Sequence, residues 1–330
     1  MSSPTPLSPS QALASTTRLS LLARRTMVLP EARRGGNDNT LWQTLESGIA
    51  MLSRRWTMSP SLPIEHFEVE IRDLWYLFCL SARYIDADCA AQDRLVRIVG
   101  VAGGWGVLTR ARREGGEGEG EGVEEEARTR EGRIWSDLPF LVGDVRGMWK
   151  ECMMGGGKVE GVEGEGVEGE GVEGEGVEWE GVEGEGVEGE DEEERQRQRV
   201  NLTAAIARLV SVGVCTGELG QCGLEVMRLA LETEMEEGRV EMMGLVRVWL
   251  RYAGHLLLMR CLAGGPTDER WRVGEGGDGG GVEDGFSKDR FVAWKRKLEE
   301  LRMSAGDDDA EDVKCASAMG YIWDSYHGLR

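Results

Sequence analysis

The chain has 330 residues, 40% of them hydrophobic and 30% charged, with a formal net charge of −21. That apolar share is enough for one large domain or two modest ones and excludes a wholly unfolded chain. The acidity is local: Glu114–Glu126 carries seven Glu, and Val159–Glu194 carries sixteen Glu and one Asp, with no basic residue in either tract. With those tracts set aside, 36 acidic residues face 39 basic ones, and a body so nearly balanced shows no strong preference for nucleic acid or for cations.

In chain order, residues 1–40 are rich in Ser, Pro and Arg and predict a disordered tail. Before Glu31 the tail has no acidic residue and sets Arg18, Arg24 and Arg25 among leucines. Mitochondrial transit peptides share that composition, so a mitochondrial location stands as the alternative to a cytoplasmic or nuclear one. Three amphipathic helices are then predicted. Leu41–Ser53 places Leu41, Leu45, Ile49 and Leu52 on one side, Glu65–Arg83 does the same with Ile71, Leu74, Trp75 and Phe78, and Asp88–Val101 with Leu95, Ile98 and Val99.

After the first acidic tract comes Ile134–Trp149. Ser136 and Asp137 suit a helix cap, Pro139 a first turn, and Leu138, Leu141, Val145 and Trp149 follow at helical spacing. Trp135 and Trp149 bracket the segment and call for a surrounding core. The second tract holds six pentapeptides from Gly161 to Glu190, GVEGE except for GVEWE at Trp179. A period of five matches neither helix nor strand and buries no face. Downstream, helices are predicted over Val200–Val214, around Leu224–Met235, over Val240–Leu262 (stopped by Gly264-Gly265-Pro266), over Phe286–Arg302 and over Asp309–Tyr326. A Gly-rich loop spans Gly274–Gly285.

No convincing alternating strand is present, so the expected class is all-α: a helical bundle or short helical array. It forms a single domain over residues 41–330, interrupted by acidic Gly/Glu-rich disordered inserts at about 114–132 and 153–198.

Several blocks occur together in order: Gln92–Val96 (QDRLV), WSDLPFL with Arg146 and Trp149, Asn201–Leu209 (NLTAAIARL) and Ala230–Glu232. Trp249–Leu257 (WLRYAGHLL), Gly264-Gly265-Pro266 with Trp271, and Gly285–Lys295 (GFSKDRFVAWK) complete the set. In these blocks the chain resembles a fungal family of uncharacterised proteins, domain-of-unknown-function family 3632, from about Leu41 to the C-terminus apart from the inserts. It departs from the family pattern in the pentapeptide tract and in Thr267–Arg270, which separates Pro266 from Trp271. The resemblance implies no reaction, ligand or catalytic residue.

Chemical motifs are few. Gly274, Gly276 and Gly279 satisfy G-x-G-x-x-G, as do Gly164, Gly166 and Gly169, but neither set follows a hydrophobic strand or opens a helix. His66, His255 and His327 lie far apart, and no cysteine pair has ligand spacing, so no metal or other cofactor is expected. Asp307, Asp308, Asp309, Glu311 and Asp312 suit a solvated helix start better than a calcium loop. The seven cysteines read as reduced, mostly buried thiols. No apolar run spans a membrane; the longest, Val246–Leu262, contains Arg247, Arg251, His255 and Arg260. No catalytic residue is expected, and the sequon at Asn201 should stay unmodified without a secretory signal.

One constellation remains: Trp249, Tyr252, Gly254, Pro266, Trp271, Arg290 and Trp294 around the Gly-Pro loop. Aromatic residues with an arginine can line a ligand pocket, which would make the protein an enzyme or small-molecule binder. The same residues can be helix-packing core, with the arginine bound to a carboxylate such as Glu232 or Asp137. That reading favours a non-catalytic intracellular interaction or scaffold protein with a protein partner, and nucleic acid is the least favoured ligand.

Overall fold

In the computed structural model the described residues are 26, 28–37, 39–59, 62–112, 123–153, 191–233, 239–263, 285–305 and 311–328. Among them the chain is all-α. Its helices are α1 (Asn39–Met58), α2 (Ile64–Tyr84), α3 (Ala90–Gly104), α4 (Leu141–Met153), α5 (Glu192–Ser211), α6 (Thr216–Leu231), α7 (Arg239–Ala263), α8 (Lys288–Ser304) and α9 (Glu311–Gly328). Residues 28–33, within the stretch read as a tail, are also helical and bury Val28 and Ala32.

The amphipathic stripes become the interior as expected. Leu41, Leu45, Ile49 and Leu52 of α1 and Ile71, Leu74, Trp75 and Phe78 of α2 are all buried, facing a shared core because helical spacing puts them on one side. Helix α5 differs. Every residue from Asn201 to Val210 is buried, the signature of a helix enclosed on all sides. It packs against α2, α3, α4, α6 and α7, and α7 in turn carries α8 and α9. The end of α4 is tied to the start of α5 by Arg199, whose Nε donates to the Cys152 carbonyl at 2.8 Å.

Close approach decides one glycine. A Cβ on Gly223 of α6 would sit 2.8 Å from the Trp249 ring on α7, and that ring is fully buried. Alanine is favoured over glycine in a helix by about 1 kcal/mol, but overpacking a rigid core costs about 1–3 kcal/mol, so packing wins. Gly223→Ala should lower the melting temperature, whereas Gly244→Ala, with nothing within 4 Å, should raise it. Two thermal melts check the opposite signs.

Two further features differ from the sequence expectation. The first acidic insert ends sooner, because Val123–Glu126 (β2) pairs antiparallel with Thr109–Arg112 (β1), and Arg128–Thr129 (β3) with Gly132–Arg133 (β4). The β1–β2 hairpin holds to the body through a cation rather than an apolar face. The Arg110 guanidinium lies 3.7 Å from the Trp56 ring centre, and its Nη1 donates to the Ser59 and Leu62 carbonyls. Its Nε bonds the Glu125 carboxylate directly opposite in register. Likewise Glu192–Gln198, within the expected second insert, is the start of α5, capped by the Asp191 carboxylate accepting from Glu194 N–H. Residues 113–122 and 154–190 lie outside the described residues.

The second difference is at Ile134–Trp149. The helix starts at Leu141, not at Ser136–Pro139. Asp137 accepts from the Arg133 backbone N–H and side chain instead of capping, and these bonds, the backbone one first, lower its pKa. Leu138 and Phe140 take positive φ, 48° and 66°, which non-glycine residues adopt only when their surroundings hold them. The Trp75 indole donating to the Pro139 carbonyl at 2.8 Å and the Glu131 carboxylate accepting from Phe140 N–H at 3.0 Å do that holding. Trp135 and Trp149 are buried, as the sequence required.

Candidate functional site

The seven residues singled out from sequence occupy different surroundings. Pro266 and Trp271 lie outside the described residues. Trp249 is buried beside Gly223, and Gly254 receives Ile322 of α9 so closely that a Cβ there would stand 2.3 Å from its Cδ1. Arg290 and Trp294 come together on Glu232, at the end of α6. Arg290 Nε meets Glu232 Oε1 at 2.8 Å, Arg290 Nη2 its Oε2 at 3.3 Å, and the Trp294 indole donates to Oε1 at 2.7 Å. A third Arg290 bond goes to the Gly285 carbonyl. A fork and an indole thus converge on the carboxylate, with Arg228 Nε at 3.9 Å from Oε2, an arrangement that joins α6 to α8.

Tyr252 leads elsewhere. Its hydroxyl lies 3.2 Å from the Ala87 carbonyl and 3.0 Å from Asp88 Oδ1, in the connection between α2 and α3. Burial, followed by the Asp88 hydrogen bond, raises its pKa. The Arg208 guanidinium stacks 3.7 Å from its ring centre while bonding Asp93 and the Ala87 carbonyl. Asn201 completes the clamp: its Oδ1 accepts from Ala87 N–H at 2.8 Å, and its Nδ2 donates to the Arg83 carbonyl at 2.9 Å. Gln92 adds bonds to the Ala82 and Ile85 carbonyls. The α2–α3 connection is short of its own backbone partners, and side chains of α3, α5 and α7 supply them.

Above this clamp the surface is concave. An open groove of about 230 Å³ is walled by Asp86, Asp88, Gln196, Arg197, Arg251 and Tyr252. It meets a second hollow of about 310 Å³, lined by Arg33, Tyr84, Glu194, Arg197 and Asn201. Arginines and carboxylates alternate around the rim: Arg251 pairs with Asp88, Arg197 with Glu194 and Arg247 with Glu311. Small-molecule sites of roughly 300–1,000 Å³ are mostly apolar; this depression is open, with charged side chains around its rim.

Five of the seven cysteine thiols are held in their protonated form. Burial pushes the thiol of Cys215 up to about 11 and those of Cys222, Cys261 and Cys315 up to about 12, with Cys79 also raised. A protonated thiol is a weak nucleophile. Among the described residues, no group of three metal-binding side chains is gathered at one point, and no helix is long and apolar enough to cross a membrane. Asn201 of the sequon is 2% exposed, with its amide committed to the α2–α3 connection.

The profile of a protein of unknown function, DUF3632, matches residues 75–298. The chain belongs to the DUF3632 family. The matched span runs from Trp75 in α2 to Leu298 in α8, so the DUF3632 region contains the clamp, the groove and the Glu232 junction. A similar curated protein is oxopyrrolidines biosynthesis cluster protein G of Penicillium oxalicum (strain 114-2 / CGMCC 5302). It is 24% identical over 304 residues, which cover 82% of this chain and 71% of that protein. No solved structure matches this DUF3632 chain at a significant level.

Sequence reasoning named Tyr252 and Arg290 but missed Asn201, Arg208 and Asp88 as a group. Asn201 read as a sequon, and Arg208 entered only as part of the Asn201–Leu209 block. Their partners lie more than a hundred residues away, and helical periodicity carries no signal over that distance. An Asn and an Arg within the mostly apolar run from Val200 to Val210 were the available clue.

Proposed function

We propose that this protein is a non-catalytic helical interaction protein that works inside the cell, in the cytoplasm or nucleus. The groove over the α2–α3 connection is its docking face for a polar segment of a protein partner. The observation that carries this reading is the groove's composition. Tryptophan, tyrosine and arginine are enriched among the residues that anchor protein interfaces, and here Arg197, Arg251 and Tyr252 stand at the rim of an open depression. The seven free cysteines fit a reducing compartment. The relative's name places that protein in a biosynthesis cluster, so enzymes encoded beside this chain are the first partners to try.

The double variant Arg197→Glu/Arg251→Glu tests the reading. Both side chains are about half exposed, so the fold should withstand the change. Purified candidate partners should bind the wild-type chain and lose at least tenfold in affinity for the variant, read by titration calorimetry at constant salt. Equal binding by both chains would remove the groove from the interface.

A further inference from the structure

We propose that the hollow beside the groove is an anion subsite for a phosphate monoester. On the docking reading above, on which this rests, the carrier is a phosphorylated side chain of the partner's segment.

The hollow of about 310 Å³ gathers cations around one ring. Arg33, in the helical residues ahead of α1, sets its guanidinium 4.8 Å from the Tyr84 ring centre, and Arg83 of α2 lies 5.9 Å from the same centre. Arg197 of α5 lines the hollow with them. A neutral group holds Arg83. The side-chain oxygen of Gln198, a residue 2% exposed, accepts from Arg83 Nε at 3.0 Å and also from Nη2. An amide positions a guanidinium without neutralising it. The carboxylate lining the hollow is Glu194, whose Oε1 accepts from Gln198 Nε2 at 3.4 Å and whose Oε2 pairs with Arg197 at 3.1 Å. Asp86 and Asp88 belong to the neighbouring groove, where Asp88 pairs with Arg251 and Asp86 accepts from the Asp88 N–H.

Three guanidiniums against one lining carboxylate leave two positive charges. A phosphate monoester brings close to two negative charges near neutral pH and three acceptor oxygens, whereas a carboxylate would answer half of that charge. The shape also suits it. Stacking on an aromatic ring engages the face of a guanidinium, while its N–H donors lie in the plane and read phosphate oxygens in pairs. The Arg197–Glu194 pair is a partly exposed contact three residues apart on one helix, and such pairs contribute too little to bar an incoming dianion.

Inorganic phosphate titrated into the full chain at pH 7.5, with ionic strength held by chloride, tests the subsite. The Arg83 Nε–H resonance should shift and saturate. Arg33→Ala and Arg197→Ala, both at exposed side chains that the fold can spare, should each weaken binding on the order of tenfold, the loss of one charge-assisted contact. Arg195→Ala, on the same helix but paired with Glu192, should leave it unchanged, and Glu194→Gln should tighten it. A glycine–phosphoserine–glycine peptide should bind as inorganic phosphate does, and its unphosphorylated form should not. A shift that never saturates, binding that survives both arginine changes, or an equal loss in Arg195→Ala would overturn the subsite, whatever the partner titrations say of the groove. Saturable phosphate binding, with partner affinity indifferent to Arg197→Glu/Arg251→Glu, would keep the subsite and overturn the docking segment as its carrier.

Discussion

Replacing Glu232 with alanine is expected to destabilise the protein by about 3 kcal/mol, a large share of a typical domain's stability. The arithmetic follows from what is left behind. Arg290 is 8% exposed and would keep its charge without its fork partner, and the Trp294 indole would lose its acceptor. Breaking a fully buried pair costs about 3–5 kcal/mol. The Glu232 side chain is 30% exposed, so water repays part and the low end of that range applies. Glu232→Gln keeps an acceptor for the indole but no charge for the guanidinium, and should fall between alanine and wild type. Urea melts with an unchanged slope are the check. The double change Glu232→Ala/Arg290→Met should cost less than the sum of its parts, because removing both partners strands neither.

The second large effect is expected at Asn201. Alanine there leaves the Ala87 N–H and the Arg83 carbonyl unpaired at the α2–α3 connection. Each stranded buried group costs about 1–3 kcal/mol, so a loss of about 2–4 kcal/mol is expected after allowing for water entering from the groove. Asn201→Asp discriminates mechanism from bulk: it keeps the acceptor for Ala87 but turns a carboxylate toward the Arg83 carbonyl. It should therefore destabilise nearly as much as alanine despite preserving volume. A chemical denaturation series on the two variants gives the comparison. If aspartate were neutral, the donor half of the amide would be shown to contribute nothing.

These two sites also mark how far the sequence could be read. The Arg290 side chain on a helix face already needed for burial pointed to a carboxylate, and Glu232 was one of the two named; the other, Asp137, pairs with Arg133 instead. The stripes of α1, α2 and α3 were legible because helical periodicity is a local signal. The start of α4 was not. Capping chemistry at Ser136 and Asp137 favoured an earlier start, but Trp75, sixty-four residues away, takes the Pro139 carbonyl and the turn winds through positive φ. The β1–β2 hairpin escaped notice for a similar reason. Its anchor is Arg110 lying on Trp56, whereas alternation of apolar residues is the pattern that reveals a strand. The groove came from neither pattern, since it depends on helices α5 and α7 converging on a connection between two other helices.

The bond from Arg199 to the Cys152 carbonyl has a consequence for how this molecule can vary. It pins the two shores between which the pentapeptide array is strung, so the spacing of α4 and α5 does not depend on how many units lie between them. The entropic cost of joining two fixed ends grows slowly with the length of the chain between them, about 0.6 kcal/mol for each doubling. Each GVEGE unit gained or dropped shifts the net charge by two Glu carboxylates while the helices keep their register. The protein's electrical character is thereby uncoupled from its architecture, free to drift in steps of one repeat.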